Sequence, residues 1–403
     1  MEDSPLLVGI DVGTTKVCAL IADLDENGQL RILGVGLEPS QGMRKGVVVD
    51  VEQASRSIAG AVDKAQRTAG FEIGAAFVSL AGAHVASVNS RGVVGIGGGG
   101  HGIEQDDIDR ALDAAQAIAI PHGREVLHVI PRGFIVDGQE GIRQPLGMHG
   151  FRLEVEAHII TAATASVQNL TKCVEAAGVQ VEAYVLNPLA SAEVTLTDTE
   201  KEMGVVVVDI GGGTTDLAIF IDGNVWHTQV LAIGGNHLTS DIAHGLRLPA
   251  DMAEKVKIEH GSASAADVPM HETFLVQPFG EDHPLQVTRY DLATIVEARA
   301  EEIFSLILQE IKRTGYDGLL PAGVVLTGGA SQLAGLRKVA SGVLNLPSRV
   351  AAPQGLHGLV DKLTGPAFST SVGLLHWAQR ESIAPPTRKG KKKSRTIDLG
   401  RGV

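Results

Sequence analysis

Cysteine is scarce: Cys18 and Cys173 are the whole complement of a 403-residue chain. Both stand in apolar surroundings, without a CxxC pair or any metal-ligand spacing, so they read as buried small hydrophobes rather than as a disulfide or a metal site. An excess of positive charge is missing too. Lys and Arg number 34 against 47 Asp and Glu, a formal charge of −13, which argues against nonspecific nucleic-acid binding by the body of the protein. No stretch approaches 18 uninterrupted apolar residues, and the opening MEDSP sets no basic flank before the first apolar run. The expectation is therefore a cytosolic protein whose membrane contact is peripheral. At this length, and with 44% hydrophobic residues, two or three domains with sizeable cores are allowed.

A phosphate-binding P-loop is absent as well. The four-glycine run at 97–100 lacks the required Gly spacing and the following Lys-Thr, and reads as a flexible connection. What the chain has instead is one phrase written twice. LLVGIDVGTTKVCALI (6–21) and VVVVDIGGGTTDLAIF (205–220) each place an Asp at the end of an apolar run, then a Gly/Thr turn, then a second apolar run. A Gly/Thr turn can aim several backbone N–H groups at one phosphate, because Gly permits the dihedrals and leaves no side chain in the way. The hydroxyls add donors, and an Asp at the strand end can hold Mg2+, usually through water. Two such turns facing each other from similar half-domains would grip a polyphosphate from both sides, so the repetition is read as duplicated architecture around one site. Lys16, present only in the first turn, adds a point charge.

Around these phrases the apolar pattern predicts strands at 6–12, 17–23 and 30–35, a helix over 51–69 and a strand at 77–82. A helix over 104–119 and strands within 127–138 and 151–163 suggest a small α+β insert. Asp106, Asp107 and Asp109 suit a helix start, and Asp137 and Asp222, each before Gly, suit turns. Further helices are expected at 166–177, around 251–261 and over 290–314, with IGGNHLTSDIAHGL read as a turn and 323–336 as strand, Gly turn and helix start. The ordered body is expected to end near Gln379. Residues 388–403 carry seven basic side chains against Asp398, a charge of +6, and too few apolar residues for an amphipathic membrane helix.

DVGTTK (11–16), DIGGGTTD (209–216) and LTGGASQL (326–333) resemble the phosphate-1, phosphate-2 and adenosine motifs of the actin, Hsp70 and sugar-kinase superfamily. More specifically, LHVIPRGFIVDGQEGIRQPLGMHGFRLEVEAHI (127–159), KCVEAAGV (172–179), LASAE (189–193) and AEKVKIEHG (253–261) resemble the FtsA family of bacterial cell-division proteins, over about residues 6–380. The resemblance implies an α/β, actin-like ATPase fold: two related halves around a nucleotide cleft, with the FtsA-type subdomain inserted in the first half. It divides the chain into a first core (1–84 and 161–200), the insert (85–160), a second core (201–238 and 316–380), an outer subdomain (239–315) and a basic flexible tail (381–403).

The same resemblance implies ATP and Mg2+ as ligands. Gly13, Thr14, Thr15 and Lys16 would take phosphates from one side, and Gly211, Gly212, Gly213, Thr214 and Thr215 from the other, with Asp11 and Asp209 facing the metal. Gly234, Gly235, Glu254, Lys257, Gly328, Gly329 and Ala330 would surround the nucleoside. Asn187 stands where related folds often present a water-positioning Glu or Gln, and Asn is no practical general base, so tight binding with slow turnover is expected. Partners implied are the C-terminal peptide of FtsZ at Arg289 and Arg299, other copies of the chain in filaments, later division proteins and, through the basic tail, an anionic membrane surface. That places the protein at the cytoplasmic face of the membrane at the division site. A small-molecule, sugar-type kinase of the same superfamily is the competing reading, but no carboxylate here has a compelling address as its general base.

Overall fold

The computed structural model describes residues 6–97, 102–117 and 120–383. Strands Leu7–Val12 and Val205–Ile210 are buried along their whole length, as expected of strands covered on both faces, whose apolar residues run on rather than alternate. Each strand organises a sheet of the same plan. In the first, the shared order is Leu30–Pro39, Lys16–Leu24, Leu7–Val12, Ala75–Leu80, Gln180–Leu186, with the two-residue strand His357–Gly358 added outside Leu30–Pro39; in the second, it is Asn224–Leu231, Thr215–Ile221, Val205–Ile210, Gly323–Thr327, Ser348–Val350. Of the five strands common to both, the first three are antiparallel neighbours and the last two are added in parallel.

The repeated phrase is thus a repeated position. Asp11 pairs with Cys18 and Val12 with Val17; Asp209 pairs with Asp216 and Ile210 with Thr215. Four residues close each turn, through Gly13 N–H donating to the Lys16 carbonyl (3.0 Å) and Gly211 N–H to the Thr214 carbonyl (2.9 Å). The α/β fold of two related halves is present.

Helices Asn187–Thr195 and Ser369–Ile383 lie between the sheets, in a cluster that joins Ile10 and Leu20 of the first sheet to Val205, Val207 and Ala218 of the second. The last helix packs on strand Leu7–Val12 and helix Asn187–Thr195, so 369–383 returns to the first half rather than extending the second core to residue 380. A third, antiparallel sheet of Val85–Gly95, Arg152–Ala163, Arg124–Val136 and Gln139–Ile142 carries helix Gln105–Gln116 on its own small core around Ile108, Phe134, Leu153 and Val155.

Local chemistry explains the boundaries. Asp107 caps helix Gln105–Gln116 by accepting from the Glu104 N–H (3.0 Å). Asp137–Gly138 and Asp222–Gly223 all have positive φ, the conformation of two-residue hairpin turns. The long helix runs Arg289–Thr314 from a Thr288 cap to Gly315. One expectation fails: IGGNHLTSDIAHGL is mostly helix, Gly235–Leu246, with Leu238, Thr239 and Ile242 buried. Its Gly, Asn and Ser density hid a helical spacing that tertiary packing enforces. The segment after Gly328 forms a short 3-10 turn, Gly329–Gln332, before helix Leu336–Leu344. Residues 98–100 of the glycine run, 118–119 of the expected helix and the tail from 384 lie outside the described residues.

Arg349 on strand Ser348–Val350 forks onto Glu200 (both contacts 2.7 Å) and donates to the Thr195 carbonyl (2.6 Å). The Arg349 fork, joined by the Thr197 N–H and hydroxyl, which also donate to Glu200, outweighs burial and holds the Glu200 carboxyl down at about 2. Because the folded value is depressed, the stabilisation is present at neutral pH and is lost as pH falls from about 4.5 towards about 2. With Arg349 partly exposed, Glu200→Gln is expected to cost about 1–2 kcal/mol at pH 7. Denaturant titrations of both proteins should show that difference shrinking across the acid window.

Candidate functional site

The two Asp-led turns end adjacent to each other at the head of one cavity of about 630 Å³ between the halves. Their contact explains the second turn's composition. A Cβ on Gly212 would lie 2.0 Å from Thr15 Oγ1, and one on Gly213 would lie 2.5 Å from Thr14 Oγ1. Only glycine lets the second turn approach the threonines of the first this closely.

Asp11 and Asp209 are both buried, and neighbouring hydroxyls hold them. Ser79 Oγ donates to Asp11 Oδ1 (2.9 Å), Ser371 Oγ to Asp11 Oδ2 (2.7 Å), and Thr370 Oγ1 to Asp209 Oδ2 (2.7 Å). Burial, helped by the charge of Asp11 and opposed by the Thr370 hydrogen bond and the charge of Lys16, pushes the Asp209 carboxyl up to about 6. Burial also lowers the Lys16 ammonium, against the pull of Asp11 and Asp209. Its Nζ donates to the Ala367 carbonyl and stands 3.3 Å from the centre of the Phe368 ring.

Gly13, Thr14, Thr15, Lys16, Gly211, Gly212, Gly213 and Thr214 all line the cavity. Thr215 does not: it belongs to the strand, and its hydroxyl donates to the Ile233 carbonyl (2.8 Å). Gly234 lies behind the wall, where a Cβ would meet the carbonyls of Gly211, Gly212 and Thr214 at 2.6–2.9 Å; it supports the second turn. Farther along the cavity come Gly235, Glu254, Lys257, Gly328, Gly329 and Ala330. Glu254 and Lys257 are more than a surface pair. Lys257 Nζ reaches Glu254 (2.7 Å), Thr239 Oγ1 (2.9 Å) and the Gly235 carbonyl (3.2 Å), and Thr239 also donates to Glu254.

Asn187 opens the helix that follows strand Gln180–Leu186, and its Oδ1 is buried at the cavity without a hydrogen-bond partner. Asp216 is a residue the motif contained without its role being read. It lines the cavity, takes the Thr214 hydroxyl on Oδ2 (2.9 Å) and leaves Oδ1 unpartnered. Burial, reinforced by Asp209, raises it well above the ordinary carboxylate range. Ser79, Thr370 and Ser371 were equally invisible, since a hydroxyl in an apolar strand or at a helix start has no spacing that announces a distant carboxylate. Among the described residues no cluster of three or more His, Cys, Asp or Glu forms a ready metal site.

The two arginines sit elsewhere along helix Arg289–Thr314. Arg289 touches the cavity, pairs with Glu272 and donates to the His260 carbonyl (3.2 Å). Arg299, nearly three turns on, forks onto Asp241 (2.5 and 2.9 Å) and also pairs with Glu302.

Solved structures share this architecture. The PilM–PilN type IV pilus biogenesis complex superimposes with a TM-score of 0.68, covering 93% of this chain and 98% of that one at 16% identity. MreB5 of Spiroplasma citri bound to ADP gives 0.54, covering 94% and 96% at 14% identity. The paired Asp-led turns at the mouth of two like sheets, together with these likenesses, define an actin-like ATPase fold. In sequence, the model of cell division protein FtsA matches residues 206–373, and that of the SHS2 domain inserted in FtsA matches 82–161. The FtsA of Pseudomonas aeruginosa is 44% identical over 383 residues, 95% of this chain and 91% of that protein. That of Neisseria meningitidis is 41% identical over 388 residues (96% and 93%), and that of Bacillus subtilis 37% over 382 (95% and 85%). The chain belongs to the FtsA family of cell-division proteins.

Gly328 tests how tightly the site is built. Its φ is 83°, and a Cβ there would lie 2.4 Å from Asp209 Oδ1; at Gly329 the nearest atom would be 3.7 Å away. Thermal melts should show Gly328→Ala destabilised by at least about 1–3 kcal/mol and Gly329→Ala close to the parent.

Proposed function

We propose that the chain is an ATP- and Mg2+-binding scaffold of the division ring, whose nucleotide sets conformation and assembly and turns over slowly. The observation that carries this reading is the pair of buried carboxylates from opposite halves at one large cavity, beside Lys16 and two unpartnered acceptors, Asn187 Oδ1 and Asp216 Oδ1. Buried polar atoms left unpaired call for a ligand or water. The residues fit the group: Asp11 and Asp209 would hold Mg2+ through water, and the N–H groups of Thr14–Lys16 and Gly212–Thr214 would take the phosphates, while those of Gly13 and Gly211 close the turns. The metal would supply charge neutralisation along the phosphate chain. Asn187 contributes an amide, which positions but does not deprotonate water, hence slow hydrolysis. The ADP in the structural relative MreB5 adds support by fold analogy.

Asp11→Asn and Asp209→Asn should each abolish the Mg2+-dependent part of ATP binding, read as at least a tenfold loss of affinity with metal and little change in EDTA. Equal affinities with Mg2+ would refute the assignment, and many turnovers per second by monodisperse wild-type protein would refute slow hydrolysis.

The scaffold is proposed to form filaments, to meet later division proteins and to bind the FtsZ C-terminal peptide on the part of the second half that carries Arg289 and Arg299. Arg299 is already paired with Asp241, so an acidic peptide competes with a resident carboxylate. Arg299→Glu should weaken peptide binding at least tenfold and Asp241→Asn should strengthen it, both measured by titration; unchanged affinity in both removes Arg299 from the interface. Attachment to the cytoplasmic face of the membrane is assigned to the basic tail, at about 1 kcal/mol per Lys or Arg near anionic lipid. Full-length protein should therefore pellet with anionic vesicles, and protein ending at residue 386 should not.

A further inference from the structure

The antiparallel insert is joined by chain to the first half alone, leaving it at Val85 and rejoining it at Ala163. Its side chains nevertheless reach the second half at three separated places. His158, 1% exposed, meets Thr228 Oγ1 with Nε2 (2.9 Å) while its Nδ1 meets Asn89 Oδ1 (2.6 Å), and Ser87 Oγ donates to the Thr228 carbonyl (2.9 Å). The Arg132 guanidinium lies 4.3 Å from the centre of the Trp226 ring. Arg143 forks onto Glu202 (2.6 and 2.7 Å). Thr228 and Trp226 belong to Asn224–Leu231, the outermost strand of the second sheet, so the insert also covers an edge that would otherwise present unpaired backbone. Behind it, His227 pairs with Glu310 (2.7 Å), which holds Arg313 on the long helix.

These contacts differ in strength. Arg143–Glu202 is exposed and individually weak. The His158 contact is between buried side chains, and losing either partner leaves the other's polar atom unpaired. Contacts at separated points resist rotation, whereas one contact would serve as a pivot.

We propose that the insert is a brace between the two halves: it holds the second half at a fixed angle to the first, so any opening of the cavity must break the His158–Thr228 and Arg143–Glu202 contacts or drag the insert along. The condition of the cavity is thereby expressed at the surface of the insert. This inference concerns the geometry of the halves and stands apart from the identity of the nucleotide.

The test uses the full chain with spin labels on exposed positions of the two halves, through Arg67→Cys and Arg337→Cys, leaving the buried Cys18 and Cys173 in place. Pulsed dipolar distances are recorded without nucleotide. Thr228→Val keeps the shape and the carbonyl that Ser87 uses. Combined with Arg143→Ala, it should broaden a narrow wild-type distribution, with exchange protection inside the insert retained. An unchanged distribution in the folded double variant overturns the brace. Should that variant not fold, a surface charge swap decides. Broadening in Arg143→Glu that is reversed by adding Glu202→Arg upholds the brace, and no broadening, or no reversal, overturns it.

Discussion

Two consecutive hydroxyls hold the centre of this molecule together. Thr370 donates to Asp209 and Ser371 to Asp11, so one helix start grips the key carboxylate of each half. The preceding Ser369 accepts from Thr327 at the end of a second-half strand. Burying two acids side by side is unfavourable unless charge is delocalised into donors. A helix N-terminus, with its unpaired N–H groups and positive dipole end, is a physically apt place for them. The spacing of the two sheets, the contact between the turns and the shape of the cavity all follow from where this helix begins.

The fold was legible because duplication leaves a strong trace. Two fully buried strands can only be written as uninterrupted apolar runs, and the turns between them must be short and glycine-rich, so LLVGIDVGTTK and VVVVDIGGGTTD announce both the sheets and their likeness. The helix at Gly235–Leu246 was not legible: it starts in Gly-Gly-Asn, and its small buried face reads as a loop until the neighbouring helices are in place. The path of Ser369–Ile383 back into the first half was hidden for a different reason. Helical periodicity says that a face is buried and does not say against which half.

The site divides along the same line. Residues whose role is set by the local backbone, such as Gly13 and Gly211, whose N–H groups close the two turns, could be found from spacing. Residues whose role depends on a partner dozens or hundreds of positions away could not. Nothing near Arg299 in the sequence reveals Asp241, and nothing near Ser371 reveals Asp11. Thr215 and Gly234 mark the limit of motif transfer: both belong to the repeated phrase or its neighbour, yet one points into the strand layer and the other props up a turn.

The duplication is exact in register and unequal in charge. Cys18 and Asp216 hold the same position in the two halves, and burial raises both, the thiol to about 12 and the carboxyl well above its usual range. The turns themselves break the symmetry, for the first ends in Lys16 and the second in Thr214. Lys16 faces Asp209 as well as Asp11, so the two buried acids share a single base. The two turns thus form equal jaws with one counter-charge between them, and the symmetry of the backbone is not a symmetry of the electrostatics.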